Sequence, residues 1–195
     1  KAKILDNPIT VLKGMAGSGK TLLATQVALD MFFTKQVDKV IITRPTVSKE
    51  DIGFLPGDIR EKMDPWLAPI YHNLHALYNK EKIEKELAAE TIEIVPFAFM
   101  RGRTFVDSFI IVDETQNITT HELKMLLTRV GEGSKIVLNG DVQQSDLPAG
   151  DGLSKVIHLA KKHILPVPVI EFGISDIIRS DICAQWVKVF LKEGI

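Results

Sequence analysis

The sequence predicts an α/β domain in which helices cover both faces of a mostly parallel sheet. Short apolar runs alternate along the chain with segments whose apolar residues recur at helical spacing, as in KVIIT at 39–43 followed by a longer polar stretch. The chain has 195 residues, 45% of them hydrophobic and 25% charged, which suits one globular domain of ordinary composition. No internal repeat or low-complexity segment interrupts it.

Each element follows from a local pattern. Strands are predicted at 9–12, 39–43, 91–95, 108–112, 135–138 and 167–172, and helices at 21–33, 119–130, 152–162 and 177–191. Between them lies a mostly helical insertion at about 48–90, expected to become helical after Pro65. Thr119 or Thr120 is a suitable N-cap before Glu122. Because proline lacks an N–H donor, Pro166 and Pro168 favour an edge position for the last strand.

Composition excludes several classes of protein. The formal net charge is −1, so a uniformly basic, histone-like surface is excluded, whereas a local basic strip is not. The single Cys183 excludes a disulfide framework and a cysteine-rich zinc module. No apolar run reaches the roughly 18 residues that span a bilayer. The sequence has no initiator Met and no signal-peptide pattern, so we expect the chain to be a piece of a cytoplasmic protein. Residues 1–195 are expected to form one domain, and no membrane partner is expected.

The strongest chemical motif is GMAGSGKT at 14–21, which fits G-x-x-x-x-G-K-[ST] and lies between a predicted strand and a predicted helix. Glycines let backbone N–H groups curl around a phosphate, and the helix N-terminus adds positive potential. Lys20 can reach the β and γ phosphates, and the Thr21 hydroxyl can ligate Mg²⁺. Nucleotide contacts are therefore predicted for Gly14, Met15, Ala16, Gly17, Ser18, Gly19, Lys20, Thr21 and Leu22.

A second motif, FIIVDE at 109–114, places two carboxylates at the end of an apolar strand. In phosphate-loop proteins such an Asp meets the magnesium ion, which predicts Asp113 as a metal ligand beside Thr21. Glu114 can then polarise the attacking water as a general base. The alternative for an acidic pair after a strand is helix capping.

Polar residues also follow the next predicted strand, in NGDVQQSD at 139–146. The carboxyl ends of parallel strands share one edge, where open α/β sheets bind ligands. Gln144 can hydrogen-bond the γ phosphate or the attacking water. An Asp/Gly turn that merely joins strand to helix is the alternative.

Two arginines flank Gly102 before the 108–112 strand. Arg101 and Arg103 can contact nucleic-acid phosphates or the nucleotide of a neighbouring subunit. Salt bridges that fix the loop explain them equally well. A GTPase is disfavoured because Asn79-Lys80-Glu81-Lys82 lacks the Asp of N-K-x-D, and no arginine-rich lid indicates a small-molecule kinase.

These motifs resemble those of the PhoH-like ATPases. The resemblance rests on GMAGSGKT, on ITRPTVSKEDIGFLPG at 42–57 and on the stretch from Met100 to Leu147, and it covers about residues 11–185. It implies a RecA-like phosphate-loop core, similar to the first core domain of superfamily I helicases. It also implies that Thr43-Arg44-Pro45-Thr46 lies along a nucleic-acid strand, with Arg44 and Thr46 as contacts.

The resemblance further implies that Gly140-Asp141 and Gln144 couple ATP to nucleic acid. Arg179 falls where the family carries an arginine, which makes it a candidate arginine finger; a surface arginine at a helix start is the alternative. The expected function is an ATP- and Mg²⁺-dependent ATPase linked to single-stranded RNA or DNA. Since such motors close two cores on one nucleotide, a homo-oligomer is expected, with a ring as one arrangement. The alternative is a nucleotide-dependent binding switch without strand translocation.

Overall fold

A computed structural model describes residues 1–15, 17–45, 59–145, 147 and 151–173, together with residues 176, 185, 186, 189 and 192. Most of the helix predicted at 177–191 and the first part of the insertion lie outside the described residues.

The described residues form a six-stranded sheet in which every pair of neighbouring strands is parallel. Its strands are β1 Ile9–Gly14, β2 Lys39–Arg44, β3 Ile92–Pro96, β4 Ser108–Val112, β5 Lys135–Gly140 and β6 Val169–Phe172. They lie in the order β3-β2-β4-β5-β1-β6. All five residues of β4 are buried, as expected for a strand that is covered on both faces. The predicted α/β class is confirmed.

Helices cover both faces of this sheet. The structure contains α1 Ala2–Asp6, α2 Lys20–Phe33, α3 Ile59–Leu77, α4 Lys80–Ala88, α5 Thr120–Leu127 and α6 Gly152–Lys162. One apolar core joins α1 through α4 to one face of the sheet, and a second joins α5 and α6 to the other. No helix of the described residues combines the length and the apolar character needed to cross a bilayer.

Three element boundaries are informative. Helix α3 begins at Ile59 and passes through Pro65, so the prediction that helix starts only after this proline was wrong. An interior proline removes one backbone hydrogen bond and clashes with the preceding turn, which can kink a helix without ending it. Strand β6 begins only after Pro168 and occupies a sheet edge, as predicted. Thr119 is the N-cap of α5 and forms a capping box with Glu122.

The strand order decides which loops meet. Strands β2, β4, β5 and β1 are consecutive neighbours, and all four run in the same direction. Their carboxyl ends therefore bring four chain segments to one edge of the sheet, at the position where open α/β folds bind ligands.

Candidate nucleotide-binding site

The phosphate-loop motif forms the turn between β1 and α2. Gly17 and Gly19 have φ angles of 80°, in the left-handed region that favours glycine. Gly14 has a φ of 151°, and a Cβ added there would lie 2.5 Å from the carbonyl oxygen of Phe172 in β6. The glycines are thus required by backbone conformation and by the close approach of a neighbouring strand. Gly19 is also the N-cap of α2, so the loop opens onto a helix N-terminus.

Lys20 lies folded into this loop. Its Nζ donates hydrogen bonds to the backbone carbonyl oxygens of Gly14 at 2.6 Å and Met15 at 2.7 Å. The side chain is 8% exposed, and burial lowers the pKa of Lys20, an effect opposed by the carboxylates of Asp141, Asp113 and Glu114. A phosphate at the loop would supply the anionic partner that favours the charged amine.

Thr21 and Asp113 meet as predicted from their motifs. The Thr21 hydroxyl donates a hydrogen bond to Oδ1 of Asp113 at 2.7 Å. Burial raises the pKa of Asp113, while the hydrogen bond from Thr21 and the positive charge of Arg44 act in the opposite direction. A cation between these two oxygens would offset the burial of the carboxylate.

This pair of oxygens fits Mg²⁺, which prefers hard oxygen ligands and keeps several of them from water and phosphate. No group of three or more His, Cys, Asp or Glu side chains that could hold a metal occurs in the part of the chain that the structure describes. A magnesium ion at Thr21 and Asp113 would therefore complete its coordination with nucleotide oxygens and water.

Glu114 follows Asp113 in a left-handed conformation, with a φ of 50°. Its Oε1 accepts a hydrogen bond from Nη2 of Arg44 at 3.1 Å, and its Oε2 accepts one from Nε2 of Gln116 at 2.6 Å. The carboxylate is therefore bonded from two sides, by the end of β2 and by the turn after β4.

The register of the sheet explains how these groups meet. Thr43 of β2 pairs with Val112 of β4, and Val112 pairs with Leu138 of β5. One residue further along each strand come Arg44, Asp113 and Asn139, which consequently lie side by side. Asn139 is fully buried, and neither polar atom of its side-chain amide has a hydrogen-bond partner among the described residues.

The segment after β5 completes the far side of the site. Asp141 is buried, and its Oδ1 accepts a hydrogen bond from the Gln143 N–H at 3.1 Å. The N–H of Gln144 donates to the carbonyl oxygen of Asp141 at 3.0 Å. Gln144 lines the same cleft as Asp113 and Glu114.

Many of these groups line one cleft of about 420 Å³, a volume in the range of small-ligand sites. Its wall contains Gly17, Gly19, Lys20, Thr21, Leu22, Arg44, Asp113, Glu114, Asn139, Gly140, Asp141 and Gln144. Three further lining residues, Pro69, Ile70 and Asn73, come from α3. Five of the predicted phosphate-loop residues therefore share one cavity with the predicted metal-ligating Asp113 and the predicted water-activating Glu114.

The residues predicted to contact nucleic acid do not lie together in the structure. Arg44 lines the cleft and donates a hydrogen bond to Glu114. Arg103 instead donates two hydrogen bonds to Glu93, at 2.8 and 3.0 Å, as in the salt-bridge alternative for this residue. Arg101 is exposed and lines a smaller cavity between the Phe97–Met100 turn and α5. Ala16, Thr46 and Arg179 lie outside the described residues.

Sequence reasoning assigned no role to Asn139, Gln116 or the α3 residues of the cleft. Gln116 had a local signal, because it lies three residues after Asp113 in a polar run that follows a buried strand. The α3 residues had none, since their place in the cleft depends on how that helix packs on α2.

The turn geometry, the Thr21–Asp113 pair and the parallel sheet together define a phosphate-loop NTPase fold of the RecA-like type. A solved structure with the same fold is the large terminase from the thermophilic bacteriophage D6E, which matches 95% of this chain and 45% of its own length with a TM-score of 0.57 and 11% sequence identity.

The chain belongs to the PhoH-like protein family, whose sequence profile matches residues 1–191. A PhoH-like protein from Mycobacterium leprae is 43% identical over 189 residues, which are 95% of this chain and 54% of the relative. A PhoH-like protein from Bacillus subtilis is 42% identical over 93% of this chain and 57% of its own length. The chain thus spans a little over half the length of these relatives.

Proposed function

We propose that this chain binds ATP with Mg²⁺ and hydrolyses it, and that single-stranded RNA or DNA controls the rate. The observation that carries the proposal is the convergence of Lys20, Thr21, Asp113, Glu114 and Gln144 on one cleft. Phosphoryl transfer to water requires a cation, ligands for the metal, a base and a contact to the γ phosphate. In the proposal Lys20 is the cation, and Thr21 and Asp113 are the metal ligands. Glu114 is the base, and Gln144 contacts the γ phosphate.

In the proposed reaction, a water oxygen attacks the γ phosphorus while the bond to the β–γ bridging oxygen breaks, giving ADP and phosphate. Glu114 accepts the proton of the water, and Gln144 orients the water or the γ phosphate. Lys20 and the backbone N–H groups of the loop stabilise the negative charge on the phosphoryl oxygens. Bound Mg²⁺ would neutralise further charge on the β and γ phosphates.

The link to nucleic acid is part of the proposal. Arg44 is both the ion-pair partner of Glu114 and the last residue of β2, next to the segment that the family resemblance associates with the strand. A strand phosphate near Arg44 would compete with Glu114 for the guanidinium, and so would alter the base at the cleft.

The ATPase assay compares wild type with Lys20→Ala and Glu114→Gln, with and without single-stranded RNA and DNA. We expect Lys20→Ala to lose nucleotide binding and Glu114→Gln to bind ATP but turn over about 10²- to 10³-fold more slowly. Addition of RNA or DNA should raise the wild-type rate. Hydrolysis that survives in Lys20→Ala would show that the phosphate-loop assignment is wrong.

A nucleotide-dependent binding switch is the second candidate, favoured by the two hydrogen bonds that occupy the Glu114 carboxylate. A Glu114 carboxylate that is held by two hydrogen bonds is expected to accept a proton slowly, which would give slow turnover and a long-lived ATP-bound state. The same assay separates the candidates, because a switch binds ATP while neither polymer changes its rate.

We also propose that the chain acts as a homo-oligomer, with a neighbouring subunit closing the cleft and with Arg179 as a candidate finger in cis or in trans. Sedimentation with and without a non-hydrolysable ATP analogue tests this. A monomer with full ATPase activity at micromolar concentration would contradict it.

A further inference from the structure

Gln116 joins the base of the proposed reaction to the segment after β5. It is 2% exposed and lies in the 3-10 turn Thr115–Asn117, directly after the two carboxylates. Its Oε1 accepts a hydrogen bond from the backbone N–H of Asp141 at 3.1 Å, and its Nε2 donates to Oε2 of Glu114 at 2.6 Å. One amide thus contacts both loops.

The orientation of this amide is determined by its partners. The N–H of Asp141 can only donate, so the amide oxygen of Gln116 must face it. The amide nitrogen then faces Glu114, whose carboxylate can only accept when ionised. Glutamine is the side chain that meets both requirements at this length, since glutamate lacks the donor and methionine lacks both groups.

The surroundings fix Gln116 in place. The hydroxyl of Ser145 donates to the backbone oxygen of Gln116 at 3.0 Å, so the turn is bonded to both ends of the 141–145 segment. A Cβ added to Gly140 would lie 2.9 Å from Oε1 of Gln116, which shows how closely β5 approaches the amide. The Gln116 side chain therefore connects the segment that carries Gln144 to the carboxylate of Glu114.

We propose that Gln116 is a positioning residue: it holds the Glu114 carboxylate in the orientation that accepts the proton of the attacking water, and it couples that orientation to the segment carrying Gln144. The inference rests on the proposed ATPase function and assigns a role within it. Gln116 acts through Glu114 and has no contact with the nucleotide in this scheme.

Two substitutions separate positioning from support of the fold. Gln116→Met removes both hydrogen bonds at nearly constant volume. Gln116→Glu keeps an acceptor for the Asp141 N–H, but its ionised form cannot donate to Glu114 and repels it. Gln26→Met, at an exposed position of α2, is the matched control and should leave the rate unchanged.

The experiment is a double-mutant cycle with Glu114→Gln, measured by single-turnover hydrolysis of radiolabelled ATP. With Glu114 present, we expect both Gln116 variants to lower the single-turnover rate constant about tenfold or more, while the half-saturating enzyme concentration changes less than about twofold. In the Glu114→Gln background, the same changes should lower the rate less than about twofold, because the residue they act through is gone. Thermal unfolding of each variant monitors the fold.

The outcomes separate the inference from the function beneath it. If Gln116→Met lowers the rate equally with and without Glu114, or if Gln116→Glu matches wild type, Gln116 supports the fold only and the inference is wrong. If wild type and Lys20→Ala show the same background rate, the proposed function fails and the inference fails with it.

Discussion

Gly14 meets two constraints at once, one from its own backbone conformation and one from a neighbouring strand. Its φ of 151° disfavours other residues, and its missing side chain leaves room for the Phe172 carbonyl oxygen. The sequence pattern predicts a glycine for phosphate binding, whereas the structure adds a packing reason that depends on β6.

Gly14→Ala should lower both the stability of the fold and the affinity for ATP. The methyl group would clash with Phe172, and overpacking of this kind costs about 1–3 kcal/mol. Denaturant unfolding and binding of a fluorescent ATP analogue measure the two effects. Gly102→Ala is the control: it adds left-handed strain at a φ of 76° with no atom within 4 Å of the new Cβ, so its nucleotide affinity should stay at the wild-type value.

Which residues meet in the cleft could be predicted from the sequence where the motif residues are contiguous. Lys20 and Thr21 are adjacent, and Asp113 and Glu114 are adjacent, so each motif carries its own geometry. The Arg44–Glu114 hydrogen bond joins residues 70 positions apart. It depends on the register of two strands, which single-sequence patterns do not specify, and the burial of the Asn139 amide depends on the same register.

At the scale of elements, β3 is an edge strand that is held to its surroundings by charge. Glu93 in β3 forms ion pairs with Lys39 of β2 and Arg103, while Arg103 also lies over the Phe105 ring with 5.6 Å to its centroid. Burial alone would raise the pKa of Glu93, but hydrogen bonds from Arg103 and Lys39 outweigh it and the pKa is lowered. The sequence predicted the strand and left the partner of Arg103 open.

Glu93→Gln should destabilise the protein at neutral pH by about 1.5–3 kcal/mol, the range for hydrogen bonds to charged groups. Because the folded-state pKa lies below the ordinary value of 4.5, this stabilisation is fully present above pH 4.5 and is lost as pH falls through the folded pKa. Urea unfolding at pH 7 and near pH 3 measures the difference. Glu90→Gln, at an exposed position, should have little effect at either pH.

The helices show where element prediction succeeds and where it ends. The capping box at Thr119 is readable because its two partners are three residues apart. The packing of α3 on α2 cannot be predicted from such a local pattern, yet it places Pro69, Ile70 and Asn73 at the cleft. Period and capping signals indicate that a helix exists, and tertiary packing decides which site it lines.

Across the whole molecule, one cleft collects residues from the carboxyl ends of β2, β4 and β5 and from helices α2 and α3, which are far apart in sequence. The alternation of strands and helices was enough to predict the parallel sheet, because parallel strands require crossover connections. The order of the strands was not predictable from periodicity, and that order is what brings Arg44, Asp113 and Asp141 to a common edge.

Because the cleft exists only in the folded chain, its ligand should stabilise the whole molecule. At a concentration 100 times its Kd, a non-hydrolysable ATP analogue with Mg²⁺ should add about 2.7 kcal/mol to the free energy of unfolding. For a chain of this size that corresponds to a rise in Tm of roughly 5–10 °C. A thermal scan with Lys20→Ala should show no such rise, and an equal rise in that variant would place the analogue elsewhere.

The position of β1 in the sheet also constrains how the protein is made. β1 leads into the phosphate loop, but it pairs with β5 on one side and β6 on the other, so Gly14 meets Phe172 only after nearly all described residues have been synthesised. During translation the phosphate loop is synthesised before β5 and β6, the strands that flank β1. The pairing of β1 with these two strands is therefore of high contact order. A chain interrupted before β6 would carry the complete phosphate-loop motif without the strand against which that loop is shaped.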